Sequence, residues 1–209
     1  LVGGIGMVLA ATLALLLFTP ADGMQGLFLG LAVLLCIGFL DDYVEVGPKR
    51  KFLAQIVAAC FMIYCNKALL LSFGNLLGTG ELLLPGGVLV AWLVTVFCTV
   101  GVINSVNLID GLDGLAGGIA FIAFFYFGAH ACFAGNYNLL LLNLAFAGGI
   151  LGFLHYNWNP AKLFMGDAGS LCLGFALAFM ALVSSQGAHP VLPPVSALLI
   201  LAVPITDTV

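Results

Sequence analysis

Residues 27–42 read LFLGLAVLLCIGFLDD, fourteen apolar or glycine positions that end in two adjacent carboxylates, Asp41 and Asp42. Acidic residues number only nine among 209, so two side by side mark where a hydrophobic helix meets a polar phase. The arrangement recurs, because Asp110-Gly-Leu-Asp113 and Gly166-Asp167 also lie at the ends of hydrophobic segments. Ionisable groups at the edge of a membrane are costly and tend to mark function.

Apolar residues make up 63% of the chain and charged ones 7%, with a mean hydropathy of +1.24. Soluble domains carry roughly 25% charged residues, so this composition belongs to an integral membrane protein. A spanning helix needs about 20 largely apolar residues, and eight apolar segments follow one another: 1–18, 26–40, 52–66, 88–105, 115–133, 139–154, 170–183 and 195–209. Long runs without alternation specify helices, since barrel strands are shorter and alternate. The expected fold is all-α, a polytopic transmembrane bundle of about eight helices forming one membrane domain over 1–209. The chain begins at Leu1 without methionine and stops inside an apolar stretch, which reads as truncation at both ends. Six cysteines without a C-x-x-C pair read as small core hydrophobes. No nucleic-acid partner is expected.

Lys49, Arg50, Lys51 and Lys162 fall in connections on one side of the eight-segment topology, with Lys67 alone on the other. The positive-inside rule makes the first side cytoplasmic. By the same parity Asp41, Asp42, Glu45, Asp110, Asp113, Asp167 and Asp207 are cytoplasmic, leaving Asp22 and Glu81 outside. The external stretch 66–87, punctuated by glycines and Pro85, reads as a small hairpin or a re-entrant segment.

Three cytoplasmic segments carry the polar chemistry. In the first, Asp41-Asp42 is followed within ten residues by Lys49-Arg50-Lys51, a run that is also the ordinary flank of a membrane helix. In the second, Asn104, Asn107 and Asp110 recur every three residues, sharing a face if the incoming helix continues through them. Oxygen ligands of this kind suit a hard cation such as Mg²⁺, although Asp-Gly pairs are also common in plain turns. The third, residues 154–170, supplies His155, Asn157, Phe164, Gly166, Asp167 and Ser170. Free N–H groups at the following helix start would suit a phosphate, while Asp167 and Ser170 would also serve as ordinary caps. Several carboxylates facing a phosphorylated substrate call for a divalent cation to bridge them, with Lys51 positioning oxygens.

Asp41-Asp42-Tyr, Asn104-x-x-Asn-x-x-Asp-Gly-Leu-Asp-Gly-Leu-Ala and Asn157-x-x-Pro-Ala-x-x-Phe-Met-Gly-Asp-x-Gly-Ser resemble the signature motifs of the polyprenyl-phosphate N-acetylhexosamine-1-phosphate transferases. The resemblance extends from Gly3-Gly4 to Asp207. It implies Mg²⁺-dependent transfer of a sugar 1-phosphate from a UDP-N-acetylhexosamine to undecaprenyl phosphate, releasing UMP, with Mn²⁺ as the alternative metal. It also implies a bacterial inner membrane location, a site facing the cytoplasm, and compatibility with a homodimer. By motif position Asn107 and Asp167 would hold the metal, and Asp41 and Asp42 would orient or deprotonate the lipid phosphate. Asp113 and Phe164 would meet the uridine, and Asp110, Asn157 and Lys51 would line the diphosphate and sugar. The family's His-containing loop would follow Asp207 and its Arg-bearing stretch would precede Gly3, both outside this sequence.

Two branches of that family compete. The short connection from Tyr43 to Lys51 resembles the enzymes that transfer GlcNAc-1-phosphate, which is the branch expected here. The phospho-N-acetylmuramoyl-pentapeptide transferases share the other two motifs and are the alternative. A transporter with an acidic cytoplasmic site is the reading from a different class, and it predicts charges near the bilayer midplane. His155, placed near the acidic face, reads as an interfacial polar residue outside the site.

Overall fold

The computed structural model describes residues 3–19, 23–76, 78, 80–187 and 190–207. These residues form nine helices: α1 Gly3–Phe18, α2 Gln25–Val44, α3 Pro48–Asn66, α4 Gly87–Ile109, α5 Leu115–Phe133, α6 Tyr137–Asn157, α7 Gly166–Ser185, α8 Pro194–Ile200 and α9 Ala202–Asp207. The all-α polytopic bundle is as expected. The last apolar segment is two short helices rather than one, broken at Leu201. Asp22 and His189 lie outside the described residues.

Five helices, α2, α4, α5, α6 and α7, are long and apolar enough to cross a membrane. The 16-residue α1 is apolar but rises only about 24 Å at 1.5 Å per residue. The first turn of α3 holds Lys49, Arg50 and Lys51, which lowers the helix's mean hydropathy; Pro48 opens it at a position where a missing N–H costs nothing.

At the centre stands α7, buried along nearly its whole length and packed by α1, α2, α4 and α5. Glycines set how closely these helices approach. A Cβ on Gly4 would lie 2.3 Å from Gly169 Cα, and one on Gly38 would lie 2.4 Å from Ala168 Cα. The start of α7 is thereby gripped between α1 and α2, backbone against backbone. Phe124 and Phe146 stack between α5 and α6 at 4.9 Å between ring centroids, deep in the core.

The stretch after α3 forms a hairpin, one of the two expected readings. Phe73 N–H donates to Leu82 O at 3.0 Å, Leu82 N–H to Gly74 O at 2.8 Å, and Leu84 N–H to Leu71 O at 3.0 Å. The Gln186 side chain accepts from Leu71 N and Ser72 N and donates to Ser72 O, fastening the hairpin to the far end of α7.

Candidate active site

The acidic segments meet at one end of α7. Gly166 opens that helix with φ +70°, a left-handed conformation that costs glycine little. A side chain there would also strike Asp42, whose Oδ2 lies 2.8 Å from the Cβ position. Asp42 Oδ1 accepts from Asp167 N at 3.1 Å, so a carboxylate at the end of α2 caps the start of α7. The expected local caps are not used: Met165 at the N-cap makes no side-chain bond, and the Ser170 hydroxyl donates back to Gly166 O at 3.2 Å. At least one N–H that would suit a phosphate is therefore already taken by Asp42.

With its backbone held, Asp167 presents its carboxylate to two other helices. Lys51 Nζ on α3 lies 2.5 Å from Asp167 Oδ2 and 2.6 Å from Asp41 Oδ2. Asp41 Oδ1 accepts from Val46 N at 2.7 Å, which folds the three-residue link between α2 and α3 back onto the acid pair. From α4, Asn107 Nδ2 reaches Asp167 Oδ1 at 3.3 Å and Ser170 Oγ at 2.8 Å. Helix α4 continues past 105 to Ile109, which is why Asn107 arrives on this face. Asn104 instead turns to α3, where its amide pairs with Gln55.

A cleft of about 290 Å³ opens beside Asp167, lined by Asn107, Asp110, Asp113, Asn157 and Phe164 among others. Two of these residues build its frame. Asp113 Oδ2 accepts from Ala161 N at 2.9 Å and from Asn159 Nδ2 at 3.2 Å. The buried Asn157 accepts from Gly114 N at 2.9 Å and donates to Leu163 O at 2.8 Å, joining the α4–α5 turn to the α6–α7 loop. Phe164 is 55% exposed and lines this cleft. Burial and, secondarily, the charge of Asp167 push the Asp110 carboxyl up to about 7.

All nine expected site residues thus fall in one cleft or are joined to Asp167 directly or through Lys51. The sequence reading missed Gln55, whose signal was a lone amide inside an apolar run, and the cross-helix capping by Asp42, which has no local signal. His155 is exposed and packs edge-on against Tyr156, away from these contacts.

The donor set fits a hard cation. Carboxylate oxygens of Asp41 and Asp167 meet at Lys51, Asp42 lies against the backbone N–H of Asp167, and its buried Oδ2 has no hydrogen-bond partner among the described residues. Among the described residues no group of three or more His, Cys, Asp or Glu forms a ready-made metal cage. Mg²⁺ seldom uses one, being held by one or two carboxylates together with waters and substrate phosphates. Asn107 would have to turn its amide to offer oxygen, since its nitrogen now faces Asp167.

Residues 24–185 match glycosyl transferase family 4. The chain is 36% identical over 197 residues to the phospho-N-acetylmuramoyl-pentapeptide-transferase of Symbiobacterium thermophilum, covering 87% of this chain and 59% of that protein. It is 35% identical over 201 residues to the probable undecaprenyl-phosphate N-acetylglucosaminyl 1-phosphate transferase of Bacillus subtilis, covering 96% of this chain and 55% of that protein. It is 35% identical over 206 residues to the phospho-N-acetylmuramoyl-pentapeptide-transferase of Listeria monocytogenes, covering 88% and 60%. The chain therefore spans 55 to 60% of the length of these curated relatives.

Proposed function

This chain belongs to glycosyl transferase family 4, the polyprenyl-phosphate sugar-1-phosphate transferases, and we propose accordingly that it transfers a sugar 1-phosphate from a UDP-N-acetylhexosamine to undecaprenyl phosphate at the cytoplasmic face of a bacterial inner membrane. The observation that carries this reading is the meeting of Lys51, Asp41, Asn107 and Asp167 from four helices beside a cleft with an exposed aromatic ring. Such a site lets a soluble nucleotide and a lipid phosphate meet without either leaving its phase.

In this reading an oxygen of the lipid phosphate bonds to the β-phosphorus of the UDP-sugar. The bond from that phosphorus to the bridging oxygen breaks, and the electron pair leaves with UMP. The Asp41–Asp42 pair orients the lipid phosphate and accepts its proton. Lys51, set between Asp41 and Asp167, is placed to swing onto phosphate oxygens. Asp113 and Asn157 keep the cleft's rim in shape, and the Phe164 ring offers a stacking face for the uracil. Asp167 and Asn107 would hold Mg²⁺, which when bound supplies charge neutralisation of the diphosphate.

For the donor, the sequence favoured GlcNAc-1-phosphate and the comparisons shift the balance. Relatives named as phospho-N-acetylmuramoyl-pentapeptide-transferases match at least as well as the N-acetylglucosaminyl relative, which supports phospho-N-acetylmuramoyl-pentapeptide as the transferred group. One observation keeps the GlcNAc reading in second place: only Glu45, Val46 and Gly47 separate α2 from α3. A transporter is disfavoured, because the carboxylates gather at one end of the helices and not midway along them.

The test follows UMP release by the full-length protein in detergent with Mg²⁺ and undecaprenyl phosphate. Release from UDP-N-acetylmuramoyl-pentapeptide alone supports the first donor, and release from UDP-GlcNAc alone reverses the order. No UMP from any UDP-N-acetylhexosamine would overturn the reaction.

A further inference from the structure

One turn deeper into the bundle than the Lys51–Asp167–Asn107 contact lies a second polar contact between the same two outer helices. Asn104 Nδ2 donates to Gln55 Oε1 at 2.7 Å, and Gln55 Nε2 donates back to Asn104 Oδ1 at 3.4 Å. Asn104 Nδ2 also donates to Val100 O at 2.8 Å, which fixes its rotamer against its own helix. Gln55 is almost fully buried, at 1% exposure. Gln55 lies four positions after Lys51 on α3, and Asn104 three positions before Asn107 on α4, so each amide sits directly beneath a residue that binds Asp167.

We infer that Gln55 and Asn104 are positioning residues, a cross-helix amide pair that fixes the register of α3 against α4 so that Lys51 and Asn107 reach the Asp167 carboxylate together. Apolar packing is tolerant of axial sliding, because one aliphatic side chain replaces another at little cost. An amide pair is not tolerant: a shift of α3 along α4 takes the buried Gln55 amide away from its Asn104 partner, and a buried amide left unsatisfied is costly. The two-point geometry also selects rotation as well as height. Lys51 has a long flexible stem, and this constraint one turn below sets where that stem begins. The consequence for turnover rests on the function proposed above, while the consequence for Lys51 does not.

The experiment uses the full-length protein in detergent and reads acetylation of Lys51 by mass spectrometry, with the exposed Lys49 as internal reference and Lys67 at the opposite end of α3 as a control for general loosening. In Gln55→Leu the Lys51-to-Lys49 ratio rises about three- to tenfold, the size of a net hydrogen-bond contribution, with Lys67 unchanged. UMP turnover falls by a similar factor. Exchanging the amides, Gln55→Asn with Asn104→Gln, keeps the total reach and restores both quantities to within about twofold. Asn104→Leu removes the same pair from the other helix, so a folding defect in one single variant leaves the other to decide. An unchanged Lys51 ratio in the single variants, or an exchange variant as defective as they are, overturns the inference. If the wild-type protein releases no UMP from any donor, the reaction proposed above fails, and the acetylation ratio still decides the amide pair.

Discussion

Lys51 Nζ lies 2.5 Å from Asp167 Oδ2, joining the first turn of α3 to the first turn of α7 across 116 residues of sequence. The same ammonium is 2.6 Å from Asp41 Oδ2, so one cation holds two carboxylates from different helices. Partly exposed ion pairs of this kind contribute little to stability. In the proposed reaction its importance is to the charge of the cleft, where an anionic substrate would be admitted beside several acids.

Asp167 is the residue at which contacts from α2, α3 and α4 meet. Asp167→Asn keeps the shape and removes the charge, and UMP release is expected to fall by about 100-fold or more, the scale for losing one electrostatic contact to a transferring group. Helix packing around Ala168 and Gly169 is untouched by this change, so the variant should insert and purify as the wild type does. Near-normal turnover in the purified variant would remove Asp167 from the site.

Phe164→Ala tests the aromatic face. The ring is 55% exposed and its loss leaves no cavity in the core, so thermal stability should not change. KM for the UDP-sugar should rise about three- to tenfold, in keeping with roughly 0.5–1.5 kcal/mol for aromatic stacking. An unchanged KM would place the uracil elsewhere.

Asp110 gives the protein a pH signature. Its ordinary value is 3.8, and in the fold it is raised to about 7. A carboxyl raised on folding favours the folded state when protonated; that contribution is fully present below the unfolded value and is lost as pH rises through about 7. Thermal unfolding without metal should therefore show wild type losing stability relative to Asp110→Asn between about pH 4 and pH 7, and running parallel to it above that. Parallel curves for the two proteins would show that Asp110 ionises freely.

The grip on α7 predicts severe packing defects. In Gly4→Val the Cβ position is 2.3 Å from Gly169 Cα, backbone that cannot rotate away. Overpacking of this kind costs about 1–3 kcal/mol or more, and the melting temperature should drop measurably in detergent. Gly6, with nothing within 4 Å of its Cβ position, is the control, and Gly6→Ala should melt as the wild type does. Equal melting of both variants would contradict the close approach of α1 to α7.

Much of this was legible in the chain itself. Hydropathy identified every long helix, because a membrane requires backbone polar groups to be satisfied within each helix. Segment ends were less legible: α4 and α7 both reach further than their apolar runs, so that Asn107 and Asp167 ride on helices and not in loops. Asp113 and Asn157 could be named as site residues from their motifs, yet only the fold shows each of them bonded to backbone of the α6–α7 loop or the α4–α5 turn.

The division follows from the range of the forces involved. Composition, spacing and charge asymmetry act locally, so the apolar runs and the acids at their ends determined a multi-pass helical bundle with its polar chemistry gathered at one end. Which carboxylate caps a helix, which is paired with Lys51 and which is left to titrate near neutrality depends on groups far apart in sequence. Asp42 meets the Asp167 amide 125 residues away only because Gly38 lets α2 lie against Ala168. Such contacts form through close packing of whole helices, so the tertiary structure alone decided how three short acidic segments meet at the start of α7.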